Sequence, residues 1–283
     1  MADTRQDSLS IFLDGESTKD KLAESYGKVI NNIEAGTISS RLKNTDLSGD
    51  PTTGTVEAKR IQNTDSQAYG TARSGNKGQK YVADPVTVSI NTDKELINEV
   101  EEKDIKLYGV AGLIEKKSAL NQRSMMRELE RAFFTCAKDE GTDAALAGST
   151  LADKVEELIQ KIETTKNDYV DGVPRDMIHI VMTPKTYGQF RNYLDTSVNN
   201  ANVNTAIAEM GTFHGVSVYS SVYLPSGVEM VGMVEGSIAQ PVMTTIDEPA
   251  KFPASNAYHF GIFFSYGTKA VMKDLIFWDD LGE

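Results

Sequence analysis

The spacing of apolar residues changes period several times along the chain, and each change marks an element. Residues 18–36, TKDKLAESYGKVINNIEAG, place Leu22, Tyr26, Ile30 and Ile33 at helical spacing, with Gly36 as a stop. Asn44–Gly54 (NTDLSGDPTTG) is made of turn formers and predicts a loop. Val86, Val88 and Ile90 then alternate with Thr87, Ser89 and Asn91, a half-buried strand, and TVEAKRI (55–61) precedes it as a less cleanly alternating mate. Between them lies QNTDSQAYGTARSGNKGQKY (62–81), in which only Ala68, Tyr69, Ala72 and Tyr81 are apolar and Gly70, Gly75 and Gly78 mark a tip. The pattern predicts a long hairpin. Such a two-stranded unit is marginal in water, and its own sequence holds nothing to cover it.

Leu113–Lys138 is the longest helical stretch. Met125, Met126, Leu129, Ala132, Phe133, Cys136 and Ala137 form a stripe at three-to-four spacing, and Gly141 is the expected stop. From Ser149 the organisation becomes α/β-like. Thr150 and Asp153 sit as a capping box, with Asp in place of the usual Glu or Gln, ahead of Leu151, Val155, Leu158, Ile159 and Ile162. MIHIVM (177–182) reads as a buried strand. Thr183-Pro184 opens a helix with Tyr187, Phe190 and Leu194 on one face. SVNNANVN (197–204) predicts a loop. Val216, Val218, Val222 and Leu224 predict a strand, LPSG a turn, and VEMVGMV a second strand. Near the end, Tyr258, Phe260, Ile262, Phe264 and Tyr266 share a strand face, with Ala257, His259, Gly261 and Ser265 on the other. Gly267-Thr268 then predicts a type II′ hairpin returning through KAVMKDLIFW.

Length and composition bound the function. The 283 residues suit one large domain or two modest ones, and 40% hydrophobic with 25% charged residues is a globular balance. Forty-one acids against 29 bases give a net charge of −12, which argues against a general nucleic-acid binder. Cys136 is the only cysteine, so no internal disulfide forms, and the residue fits a reducing compartment. No apolar run is long enough for a signal peptide or a membrane span. Charge is uneven along the chain. Lys59, Arg60, Arg73, Lys77 and Lys80 face only Asp65 over the hairpin, and an acidic run follows with Glu95, Glu99, Glu101, Glu102 and Asp104. A basic tip in an acidic chain predicts an acidic partner surface, which another copy of the chain would supply.

Candidate chemistry is thin. GTARSGNKG has the glycine spacing of a phosphate-binding loop, but Asn76 stands where its lysine belongs, and a strand follows instead of a helix. Ser74 and Lys77 match S-x-x-K by spacing alone, on a glycine-rich tip rather than at the start of a buried helix. His179, His214 and His259 are too far apart in sequence to form a metal pair with one another or with Cys136. The acidic run reads as solvated surface rather than a metal cluster. No catalytic, cofactor-binding or metal-binding residue is assigned.

The order of elements resembles a known family. AKRIQNTDSQAYGTARSGNKGQKYVADPVTVSINTDKELINEVEEKDI (58–105), NQRSMMRELERAFF (121–134) and GSIAQPV (236–242) resemble the major capsid proteins of tailed double-stranded DNA bacteriophages, over nearly the whole chain. The resemblance implies an α+β fold: an N-terminal arm (1–53), an extended β-hairpin loop (54–93) lying across a neighbouring subunit that completes its core, a peripheral domain with a spine helix (94–148), an α/β axial domain (149–245) and a return to the peripheral sheet (246–283). It implies a virion protein, assembled in the host bacterial cytoplasm into hexamers and pentamers, with a separate scaffolding protein and a portal protein as partners. The shell would enclose DNA without reading its sequence, and it would need no cofactor, enzymatic activity or membrane. Intersubunit contacts are expected at Lys59, Arg60, Arg73, Lys77, Lys80, Glu99, Glu101, Glu102 and Asp104. Some relatives crosslink a lysine to an asparagine, and Lys77 sits where such a lysine would. The rival readings are a tail-tube subunit, which the long helix argues against, and an enzyme of unknown class.

Overall fold

The structure is a computed structural model that describes residues 36–64, 66, 68–70, 82–101, 110–196, 203–204, 209–210, 212–251 and 257–282. The helix expected over 18–36 lies outside these residues apart from Gly36, as does most of the loop expected over 197–204. In chain order the longer elements are α1 (Ile38–Leu42), β1 (Thr55–Ile61), β2 (Ala83–Ser89), β3 (Thr92–Glu101), α2 (Val110–Glu140), α3 (Leu151–Glu163), β4 (Ile178–Met182), α4 (Pro184–Thr196), β5 (Val216–Ser220), β6 (Met230–Val234), β7 (Val242–Lys251), β8 (Ala257–Tyr266) and β9 (Ile276–Asp279). Two compact units result. One gathers Met1–Arg41, Ile90–Glu130 and Pro241–Gly267; the other gathers Leu42–Ser89, Arg131–Gln240 and Thr268–Glu283.

In the first unit β8 is the centre of an antiparallel sheet, with β7 on one side and β3 on the other. Ile262, Phe264 and Tyr266 are buried, as their alternation predicts, while Phe263 is 39% exposed. Gly261 is required where β8 crosses β3, because a Cβ there would lie 2.4 Å from the Leu96 carbonyl oxygen. On α2, Glu128 accepts from the Tyr266 hydroxyl (3.0 Å) and pairs with Lys94 (3.1 Å). Buried Glu130 accepts from the Ile38 and Ser39 amides at the start of α1, which satisfies a carboxylate that would otherwise be costly to bury. Strand β3 went unread in the sequence because charged residues fill its outer positions. Leu96, Asn98 and Val100 point inward at period two, and Glu95, Ile97, Glu99 and Glu101 point out.

The second unit is built on a six-stranded sheet in the order Thr212–Phe213, β5, β4, β6, β9, Thr142–Asp143. Strands β4 and β5 run parallel, with α4 in the connection between them. All five residues of β6 are buried, the continuous apolar run of a strand covered on both faces. Val155, Leu158, Ile159 and Ile162 of α3, with Phe190 and Leu194 of α4, fill the core over this sheet. The capping box forms reciprocally: the Thr150 hydroxyl accepts from the Asp153 amide (3.2 Å), and Asp153 accepts from the Thr150 amide (3.1 Å).

Helix α2 extends past the predicted stretch at both ends, and its 31 residues span roughly 46 Å at about 1.5 Å per residue. Phe133 and Phe134 are fully buried and meet edge to face, with centroids 5.5 Å apart. Gly141 ends the helix for a different reason than expected. Its φ is not positive; a Cβ there would strike the Ala137 carbonyl at 2.3 Å and the Ile276 side chain at 2.8 Å.

Two sequence expectations are corrected. Val222 is 69% exposed in a turn, and β5 ends at Ser220, where the Ser221 amide bonds back to the Met182 carbonyl. Gly267-Thr268 closes no hairpin either. Type II′ geometry needs a positive φ that Gly267 lacks, and Lys269–Ala270 pairs with Ile238–Ala239 instead of β8.

Candidate functional site

The hairpin is where the sequence placed function, and the structure shows how its base is held. Strands β1 and β2 pair antiparallel from Thr55↔Ser89 to Ile61↔Ala83, and the Gln62 amide reaches the Val82 carbonyl one step beyond. The two-residue strand Leu47–Ser48 adds a third partner on β1. Val56, Ala58 and Val88 point to one side and are buried with Ala239 and Val271 of the same chain. This corrects part of the expectation. The hairpin base has a core within its own chain, because the return through Ile238–Ala239 and Lys269–Ala270 runs beneath it.

Polar contacts fasten the outer part of this base. Arg60 meets Asp274 through both terminal nitrogens, at 2.6 and 2.7 Å, a bidentate pair across 214 residues of sequence. The Asn167 amide nitrogen also donates to Asp274. The Arg60 guanidinium lies 4.3 Å from the Tyr169 ring centroid, and the Tyr169 hydroxyl donates to Asp84 on β2. The Asn63 amide bonds to the Asp168 carbonyl, and Lys269 donates to the Thr87 carbonyl at 3.0 Å. Burial works against a charge on Asp274, but the bonds from Arg60 and Asn167 hold its carboxyl below the usual range. These groups frame an open cavity of about 820 Å³ beside the hairpin base.

The nine expected contact residues therefore separate. Lys59 is exposed opposite Pro85, while Arg60 is committed to Asp274. Glu99 and Glu101 are exposed on the outer face of β3, opposite His259 and Ala257 of β8. Arg73, Lys77, Lys80, Glu102 and Asp104 lie outside the described residues. Asp274, Asn167, Tyr169 and Asp84 were missed. Their partners lie 85 to 214 residues away in sequence, so no local spacing reveals them.

Among the described residues, no group of three His, Cys, Asp or Glu side chains is placed to hold a metal ion. No described helix is long and apolar enough to cross a membrane. Cys136 is buried, and that burial, with Glu140 beside it, pushes its thiol up to about 12, far from a nucleophile's range. His179 lies in β4, and its burial lowers its affinity for a proton.

No family model and no curated protein matches the sequence. Solved structures do match in fold. The capsid of the cyanophage P-SCSP1u aligns at TM-score 0.61 and 12% identity, covering 86% of this chain and 87% of that one. The capsid of a native GTA particle aligns at TM-score 0.58 and 12% identity, over 86% and 88%. A virus-like particle from Pyrococcus furiosus aligns at 0.57 and 10%, over 93% and 99%. The chain has the tailed-phage major capsid fold. Identity this low carries the architecture alone.

Proposed function

We propose that the chain is a major capsid protein that assembles with copies of itself into the icosahedral shell enclosing the double-stranded DNA of a phage. The observation that carries this is the fold, matched over most of its length by chains that build capsids. The anchored hairpin supports it. A bidentate ion pair, a stacked tyrosine and an apolar cluster fix the two strands of the hairpin base, and the tip sequence has little to bury on its own account.

On this reading residues 1–53 are the arm, 54–93 the extended loop, 94–148 and 246–283 the peripheral parts, and 149–245 the axial domain. The loop tip lies over a neighbour, with Arg73, Lys77 and Lys80 facing acids such as Glu99, Glu101, Glu102 and Asp104. Scaffolding and portal proteins are supplied separately, and assembly takes place in the host cytoplasm. The acidic balance of −12 keeps the shell from trapping the packaged nucleic acid. No catalytic step is assigned to the chain. Negative-stain microscopy and sedimentation of the purified protein test the reading. Closed shells, or rings of five or six, are the expected result; a monomer at every concentration and ionic strength would overturn it.

A further inference from the structure

A strand at the edge of a sheet has backbone donors and acceptors with no partner on one side, and proteins blunt such edges with brevity, proline, bulges or charge. Among the described residues the other long edges are blunted by structure. β7 loses its register with β8 between Asp247 and Ala250, and Pro249, which has no N–H, lies inside the break. β2 carries Pro85, and its Thr87 carbonyl already accepts from Lys269. The six-stranded sheet ends on the two-residue strands Thr212–Phe213 and Thr142–Asp143. β3 has none of these devices. It pairs with β8 without a break from Thr92↔Tyr266 to Glu101↔Ala257 and contains no proline. No described strand pairs with its other side.

What guards β3 is charge of a single sign. Asp93, Glu95, Glu99 and Glu101 share its outer face with Ile97, opposite Ser265, Phe263, His259 and Ala257 of β8. Ile97 and Phe263 are both exposed on that face, while Lys94 turns to the other side and pairs with Glu128. Two β3 strands laid antiparallel edge to edge about Ile97 would oppose Glu95 to Glu99 and Asp93 to Glu101, which is unfavourable. A strand with Lys or Arg at alternate positions meets the reverse. The basic hairpin tip, ARSGNKGQK, is spaced by glycines and makes a poor strand, so the complement belongs to another protein. We propose that the β3 edge accepts an extended segment of a different protein as a fourth strand of this sheet, with Lys or Arg against Glu95 and Glu99 and an apolar residue beside Ile97. Contact of a neighbour's hairpin tip with Glu99 or Glu101 engages side chains and leaves this backbone edge open.

The test uses the full chain and a fluorescein-labelled probe peptide, Lys-Val-Lys-Thr-Leu-Thr-Lys-Val-Lys, whose sequence reads the same in both directions and so fits the edge in either orientation. Fluorescence anisotropy should show saturable binding. Replacing both Thr of the peptide by Pro keeps every charge and the Leu but removes backbone donors and strand geometry, and should weaken binding several-fold. Glu95→Lys in the protein should also weaken it several-fold. Glu57→Lys, the same change at an exposed acid on the outer side of β1, should leave it unaltered. Hydrogen exchange with saturating peptide should slow at β3 amides and stay unchanged at β7. Absence of binding overturns the proposal. So does equal binding of the proline peptide, or an equal effect of Glu57→Lys, either of which reduces the event to adsorption by charge. Protection of β3 that rises with protein concentration in the absence of peptide would put a second copy on the edge and overturn it as well.

Discussion

Glu156, on α3, shows how one residue sets acid sensitivity. Burial alone would raise its carboxyl, but hydrogen bonds from Arg175 (2.7 Å), His214 and Gln160 outweigh it and hold the group at about 2. A carboxyl whose folded affinity for protons is depressed stabilises the fold above its unfolded pKa, near 4.3, and loses that contribution as pH falls toward the folded value. Glu156→Gln should therefore lower stability at pH 7 by about 1–2 kcal/mol, after discounting for partial exposure, and the penalty should shrink between pH 5 and about 2. Thermal melts of the two proteins across that window check it; a constant difference would deny the residue its role. Phe133 tests the core at the same scale. Fully buried against Phe134, it should cost about 3–5 kcal/mol when cut to alanine, read from melting of unassembled subunits. A change below about 0.5 kcal/mol would remove it from the core. The stripe that marks Phe133 was legible in the sequence, because helical periodicity is a local property. The Glu156–Arg175–His214 cluster was not, since α3, the turn after Pro174 and the Phe213–His214 turn meet only in the folded chain.

At the scale of elements, the readable ones were those whose burial is one-sided and periodic. Helix α3 with its capping box, α4 and β8 belong to this class, while β4 was legible as a short, almost continuously buried apolar run. Strand β3 is the instructive exception. Its inward positions are only Leu96, Asn98 and Val100, while acids and Lys94 dominate the rest, so composition masks a period of two. Its pairing with β8 depends on Gly261, where the nearest atoms to an added Cβ are backbone and cannot swing aside. Gly261→Ala should accordingly destabilise the sheet by about 1–3 kcal/mol, as overpacking does. Hydrogen exchange of β3 and β8 amides is the measurement, and protection unchanged from the parent protein would contradict the close approach. The false hairpin at Gly267 has a similar lesson. A Gly-X pair permits a tight turn, but whether the next strand pairs with the last is settled by the sheet that is waiting for it.

For the whole molecule, the anchored hairpin is the feature that points beyond a single chain. Removing Gln62–Lys80 deletes the tip and leaves Val56, Ala58 and Val88 with their own-chain cover. The truncated protein should remain folded and soluble but fail to form shells, as judged by microscopy beside the parent protein. Normal shells from the truncated chain would show the tip to be dispensable. Charge gives a finer test. A single exposed ion pair is worth about 0–1 kcal/mol, yet a shell repeats each contact many times. Lys77→Glu should slow assembly, most at low salt where screening is weakest, and Glu101→Lys should restore part of the rate. If light scattering gives equal rates for Lys77→Glu and the parent at every ionic strength, the basic residues of the tip serve only solubility.

Sequence alone determined the parts governed by neighbours in the chain: the long helix and its apolar stripe, the capping box, the buried strands, the two paired strands of the hairpin base and the uneven charge. From their order came the resemblance to the capsid family, and with it the fold. Tertiary structure decided what required distant residues to meet. It placed Ala239 and Val271 under the hairpin base, gave Arg60 to Asp274, and turned Lys269–Ala270 toward Ile238–Ala239. The physical reason is that hydrophobic burial and ion pairing reward proximity in space without regard to sequence separation. A pattern of period two or 3.6 records only which side of an element is dry, and leaves open what covers it.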